Sequence, residues 1–116
     1  MSKTSTIQIH VGLDDQKVPE KIEWDATDNT AERMNKAKAM MLAFWDGEEK
    51  TALRIDLWTK QMMVDEMADF FFQTFMTMAD TFQRATPYHD MSNDLRAFAQ
   101  SFYKKFEEKL KEEEKR

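Results

Sequence analysis

The chain has 116 residues, among them no cysteine, two glycines, two prolines, ten methionines and nine phenylalanines, and its formal net charge is −5. One domain is the expectation at this length, burying about 60–70% of the unfolded chain's surface, and 41% hydrophobic with 34% charged residues suits a soluble globular protein. The missing cysteine excludes disulfide scaffolds and thiolate metal sites, the scarce glycine excludes phosphate-cradling loops, and an acidity spread as −2 over residues 1–60 and −3 over residues 61–116 leaves no basic face for nucleic acid.

Taken in chain order, Met1 to Thr6 contain no apolar run of signal-peptide length. Ile7, Ile9, Val11 and Leu13 then alternate with polar residues or glycine, the period of a half-buried strand. Asp14 to Lys17 form a polar turn, and Pro19 suits the start of a second strand carried by Ile22, Trp24 and Ala26. Asp28 to Lys36 read as a loop or one helical turn. From Ala37 to Trp45 both alternating sets are apolar, so this third strand is covered on both faces or lies at an assembly contact. Asp46 to Lys50 make a charged hairpin loop in which Gly47 is available for positive φ. Leu53, Ile55 and Leu57 mark a fourth strand, antiparallel because the connections are short.

The spacing changes to the helical period from Gln61 to about Arg84, with Met63, Met67, Phe71, Phe75, Met78 and Phe82 on one broad face. Phe72 and Met76 fall outside that face, beside Asp65, Asp69 and Asp80, and are expected to form an outward ridge. Thr86-Pro87-Tyr88 breaks the helix, Asp90, Ser92 and Asn93 are candidate caps, and a last helix runs from about residue 91 to 113. Its stripe holds Leu95, Ala99, Phe102, Phe106 and Leu110, and residues 111–116 read as a charged, frayed end. The longest uncharged stretch, Phe70 to Ala79, has ten residues and cannot span a membrane. The expected fold is a single α+β domain over residues 1–116: a four-stranded antiparallel sheet followed by two C-terminal helices packed on one face.

No residue set points to catalysis, a cofactor or a metal. His10 and His89 have no neighbour at ligand spacing, no serine sits in a nucleophile elbow, and Asp65, Glu66 and Asp69 serve the positive end of a helix dipole. The Asp28–Glu32 segment lacks the glycine and ligand order of a calcium loop. What stands out is apolar surplus. Met40, Leu42, Phe44, Trp58, Met62, Phe72 and Met76 are hard to bury inside one small monomer, and methionine adapts readily to varied partners. Two readings follow: the surface is consumed by self-association into a homo-oligomer, or it receives other polypeptides.

Three segments carry a resemblance. SKTSTIQIHVGLDDQKVPEKIEWDATDN, AKAMMLAFWDGEEKTALRIDLWTKQMMVDEM and FFFQTFMTMADTF, in that order, resemble the gliding-motility-associated GldC family of Bacteroidetes over nearly the whole chain. The resemblance implies a small cytoplasmic protein without catalytic residues, whose protein partners belong to the gliding or secretion machinery. Four strands followed by two helices is also the order of SecB-type secretion chaperones, an analogy of topology that implies a holdase as the alternative function. The expected protein is cytoplasmic, non-enzymatic, without cofactor, and engaged with protein partners or its own copies rather than nucleic acid or membrane.

Overall fold

A computed structural model describes residues 3–27 and 34–115. The polar connection expected from Asp28 onward therefore lies largely outside the described residues. The chain forms two compact units, Met1–Met62 and Met63–Arg116.

The first unit holds β1 (Ile7–Leu13), β2 (Pro19–Ala26), β3 (Asn35–Ala37), β4 (Ala39–Asp46) and β5 (Thr51–Trp58). β1 and β2 pair antiparallel with Ile7 opposite Ala26, Ile9 opposite Trp24 and Val11 opposite Ile22. Directly opposed residues share a face, so the alternation in each strand adds up to one apolar face, on which Ile22 is 2% exposed. The turn between these strands is built by Asp14. Its Oδ1 accepts the N–H groups of Gln16 and Val18 at 2.8 and 2.9 Å, while Lys17 takes φ 63°. Its Oδ2 meets the ammonium of Lys60, which ties the tip of the first hairpin to the residue after next beyond β5.

The expected single four-stranded sheet, and with it the order of SecB-type chaperones, does not match. The extended run from Asn35 to Asp46 is interrupted at Lys38 and serves two sheets, β1-β2-β3 and β4-β5. Before the interruption Asn35–Ala37 pairs with β2, so Asn35 and Lys36 belong to a strand and not to a loop. After it Ala39 lies opposite Trp58 and the strand belongs to β5. The Lys38 carbonyl marks the change, accepting the N–H of Thr59 at 2.8 Å and its hydroxyl at 3.0 Å. In the second hairpin the positive φ falls on Lys50, at 54°, and not on Gly47; Asp46 Oδ1 accepts the N–H groups of Glu48 and Glu49 and shapes the turn without it.

The second unit is a pair of helices, α1 (Val64–Ala85) and α2 (His89–Glu114). Asp65 and Glu66 occupy the first turn of α1, where Glu66 also accepts the N–H of Met63. Thr86 ends α1 by donating its N–H and hydroxyl to the Phe82 carbonyl, each at 3.0 Å. Pro87 then returns the chain to helix at once, with Tyr88 as the N-terminal cap residue, so Asp90, Ser92 and Asn93 lie within α2 instead of capping it. The Lys/Glu-rich segment after Leu110 continues as helix to Glu114, consistent with the high helix propensity of both residues.

Small residues set the approach of the two helices. Ala68 and Ala79 of α1 and Ser92 and Ala99 of α2 are the buried positions. Around them Phe71 and Phe75 meet Phe98 and Phe102, with Phe75 edge-on to Phe102 at 5.4 Å between ring centroids. Ser92 is 0% exposed and its hydroxyl has no hydrogen-bond partner.

Two predictions follow from this framework. The Asp14 carboxyl is held down to about 2, first by the hydrogen bond from Lys60 and then by the Val18 N–H. Its folded value lies below the ordinary 3.8, so its contribution is complete above 3.8 and is lost as pH falls from there through about 2. Thermal melts of the native chain should therefore lose more stability over that acid window than those of Asp14→Asn. Ser92→Ala removes a buried hydroxyl that has no partner and should raise stability by about 1 kcal/mol in urea unfolding.

Candidate functional site

The β4–β5 ribbon sorts its side chains by parity. Met40 lies opposite Leu57, Leu42 opposite Ile55 and Phe44 opposite Leu53, so six apolar side chains share one face, with the polar Asp46–Thr51 pair at its turn end. The other face takes Ala39 and Trp58, Met41 and Asp56, Ala43 and Arg54, and Trp45 and Ala52. Arg54 and Asp56 lie on that reverse side, where the Arg54 guanidinium holds both Asp56 oxygens at 3.0 and 3.2 Å, while Asp46 at the turn end of the ladder face is committed to the N–H groups of Glu48 and Glu49.

The apolar ladder is open to solvent. Phe44, Leu53 and Ile55 are 59%, 55% and 50% exposed, while Met40, Leu42 and Leu57 are half-buried. A two-stranded ribbon is marginal by itself, because it has too little to pack against. An exposed apolar ladder on such a ribbon is the kind of patch that marks a contact site on soluble proteins. It offers desolvation as a driving force and has no group suited to proton transfer, nucleophilic attack or metal binding. Among the described residues no three histidine, aspartate or glutamate side chains converge where an ion could be held.

The structure brings together three of the seven residues that the sequence singled out. Met40, Leu42 and Phe44 share the ladder. Trp58 is well exposed but stands on the reverse face, opposite Ala39 and on the same side as Trp45. Met62 is half-buried in the segment after β5, its N–H donated to the Thr59 carbonyl at 3.1 Å.

Phe72 and Met76 do not form an outward ridge. Phe72 packs on Tyr103 of α2 with ring centroids 5.0 Å apart, and Met76, one turn on, is half-buried. The arc that seemed solvent-facing because it carries Asp69 and Asp80 is the arc turned toward α2. Asp80 accepts a hydrogen bond from Arg96 at 2.8 Å, and Asp69 accepts one from the Tyr103 hydroxyl. That bond and the adjoining negative charge raise the Tyr103 pKa above its ordinary 10.0.

Leu53, Ile55 and Leu57 complete the ladder and were not singled out from sequence. The signal was present. Counting outward from the Asp46–Thr51 pair that closes the turn places Leu53 beside Phe44 and Ile55 beside Leu42.

The ladder, the Lys38 interruption and most of the helical pair fall inside a matched family region. The family described as gliding motility-associated protein GldC-like matches residues 19–108, from the start of β2 to within α2. No curated protein and no solved structure matches the chain.

The packing of Phe72 is directly measurable. Phe72→Ala should cost about 2 kcal/mol in urea unfolding, whereas Phe98→Ala, at a more exposed ring, should cost about 1 kcal/mol or less. Equal losses at the two positions would contradict the packing described.

Proposed function

The chain belongs to the GldC-like family of gliding motility-associated proteins, and we propose that it serves that machinery as a cytoplasmic, non-catalytic binding protein. The apolar ladder of the β4–β5 ribbon makes the contact. One observation carries this reading: the pairs Met40–Leu57, Leu42–Ile55 and Phe44–Leu53 put six apolar side chains together on that face, and Phe44, Leu53 and Ile55 remain half or more exposed. Such a face gains free energy when water leaves it, at roughly 25 cal/mol per Å² of apolar surface, and gains nothing from an ionic ligand. Its contact is therefore with another apolar protein surface, supplied by a component of the gliding or secretion machinery or by a further copy of the chain. Nothing in the family description implies a reaction, and no helix among the described residues is long and apolar enough to cross a membrane.

The test replaces the chromosomal gene of a gliding bacterium with the double variant Phe44→Glu/Ile55→Glu. Both positions face solvent, so circular dichroism and the melting temperature of the purified variant should stay close to native. Cell spreading should be lost at unchanged protein level, and light scattering on the purified pair should show any self-assembly of the native chain disappear as well. Normal spreading by the folded variant would overturn the reading. A client-holding role for the same face predicts instead that the native chain suppresses aggregation of several unrelated unfolded proteins. That outcome would replace a defined partner with a general one.

A further inference from the structure

Seven of the eight residues of β5 are exposed and Leu57 is half-buried, whereas β4 is half-buried over residues 39–42. Among the described residues β5 pairs only with β4, so its other edge is uncovered. The direction of its backbone groups follows from its end. Thr59 donates its N–H to the Lys38 carbonyl, and this pair continues the register in which Ala39 lies opposite Trp58. Antiparallel strands alternate hydrogen-bonded and non-hydrogen-bonded pairs, so Leu57, Ile55 and Leu53 also turn their N–H and C=O groups to β4. Those of Ala52, Arg54, Asp56 and Trp58 point outward along the free edge.

Proteins blunt such edges with lysine, proline, a bulge or shortness. β5 has none of these: residues 51–58 contain no lysine, proline or glycine, and the β4–β5 register runs without a shift from Ala39–Trp58 to Asp46–Thr51. What it has instead is a pattern that complements itself about Ile55. Leu53 and Leu57 flank Ile55 on the ladder face. On the reverse face Arg54 stands on one side of it and Asp56 on the other, with Ala52 and Trp58 beyond them.

We infer that the free edge of β5 pairs antiparallel with β5 of a second copy of the chain, about a two-fold axis at Ile55. Leu53 then lies opposite Leu57 of the second copy, Arg54 opposite its Asp56, and Ala52 opposite its Trp58, a small residue beside an indole that is 58% exposed. The outward-directed residues fall into hydrogen-bonded pairs and Ile55 meets Ile55 in a non-hydrogen-bonded one, as the alternation requires. Charge selects this register. The next allowed register on either side sets Arg54 against Arg54 or Asp56 against Asp56, and like charges directly opposed are destabilising. Arg54 and Asp56 already pair within the strand, yet their side chains stay 48% and 45% exposed, so the second copy closes two such pairs into a square of alternating charge and breaks neither. The product is one four-stranded sheet, β4-β5-β5-β4, which relieves the marginal stability of a two-stranded ribbon and joins both apolar ladders on one face. The pairing concerns the strand edge and holds whatever covers that face.

The chain has no cysteine, so the full chain carrying Ile55→Cys makes the test unambiguous. Non-hydrogen-bonded pairs bring Cα atoms to about 4.5 Å, within reach of a disulfide. Oxidised Ile55→Cys should run as a covalent dimer, and Leu53→Cys, at a similarly exposed ladder position, should not, because it faces Leu57 of the other copy. In sedimentation equilibrium the native chain should dimerise, and Arg54→Asp and Asp56→Arg should each weaken the dimer at least about tenfold while circular dichroism stays native. An equimolar mixture of those two variants should regain the dimer, since every opposed pair is then of opposite sign. Phe44→Glu, on β4, should remove the ladder contact and leave the Ile55→Cys cross-link intact, which separates failure of this pairing from failure of the proposed function. A native chain that stays monomeric up to about 1 mM, equal cross-linking of Leu53→Cys, or a mixture that stays monomeric would each overturn the pairing. A dimer indifferent to both charge variants and lost in Phe44→Glu would also overturn it, placing the contact between two ladders.

Discussion

The carbonyl of Lys38 accepts two hydrogen bonds from Thr59, one from its backbone and one from its side chain, and the arrangement of the first unit turns on that point. Every residue before it in the same extended run answers to β2 and every residue after it to β5. A strand cannot place all of its neighbours on both sides when it changes partner midway, so each sheet is left with an edge that a continuous sheet would have covered. The separate pairing of β4 with β5, apart from β1-β2-β3, is the product of this division. Ala37, Ala39, Met40 and Met41 line a small cavity with Ile9, Ile22 and Trp24, while Leu42 and Phe44 carry the open ladder on from Met40. Apolar side chains on both parities of β4 are thus put to two uses.

The helical pair follows another rule. Alanine and serine at the closest positions bring α1 and α2 near enough for phenylalanines from both to interleave along one side. On the other side Asp69 and Asp80 reach Tyr103 and Arg96 across the same interface. An exposed ion pair such as Asp80–Arg96 adds little to stability, commonly under about 1 kcal/mol, but it and the Asp69–Tyr103 hydrogen bond favour one register over its neighbours. Ser92 is the exception in that interface, a polar atom buried without a partner for the sake of its size.

Much of this was legible in the sequence, and the omissions have physical causes. The alternation of Ile7 to Leu13, the two-sided character of the run after Ala37 and the change to helical period after Gln61 all follow from geometry that leaves a mark on composition. The division at Lys38 leaves none, since one lysine between two alanines suits a continuous strand equally well. Phe72 and Met76 were misplaced for a related reason. A helical wheel gives angles between residues but not the direction of the neighbour, and acidic residues seem to mark solvent until their partners on another helix are known. Half of the ladder was visible as Met40, Leu42 and Phe44; the other half required pairing β5 to β4 through the turn, which is a statement about two strands and not one.

The tie between Asp14 and Lys60 also sets an order of events. Its two residues stand at the tip of the first hairpin and just beyond β5, so the contact spans the second hairpin and the run between. Joining residues so far apart in the chain carries a loop-closure cost that contacts between neighbours do not. The helical pair, by contrast, is made of neighbours in the chain and has no such cost. A chain emerging from the ribosome presents its two β-hairpins before its helical pair. The Asp14–Lys60 tie can then close as soon as the residues just beyond β5 have emerged, before α1 and α2 are complete.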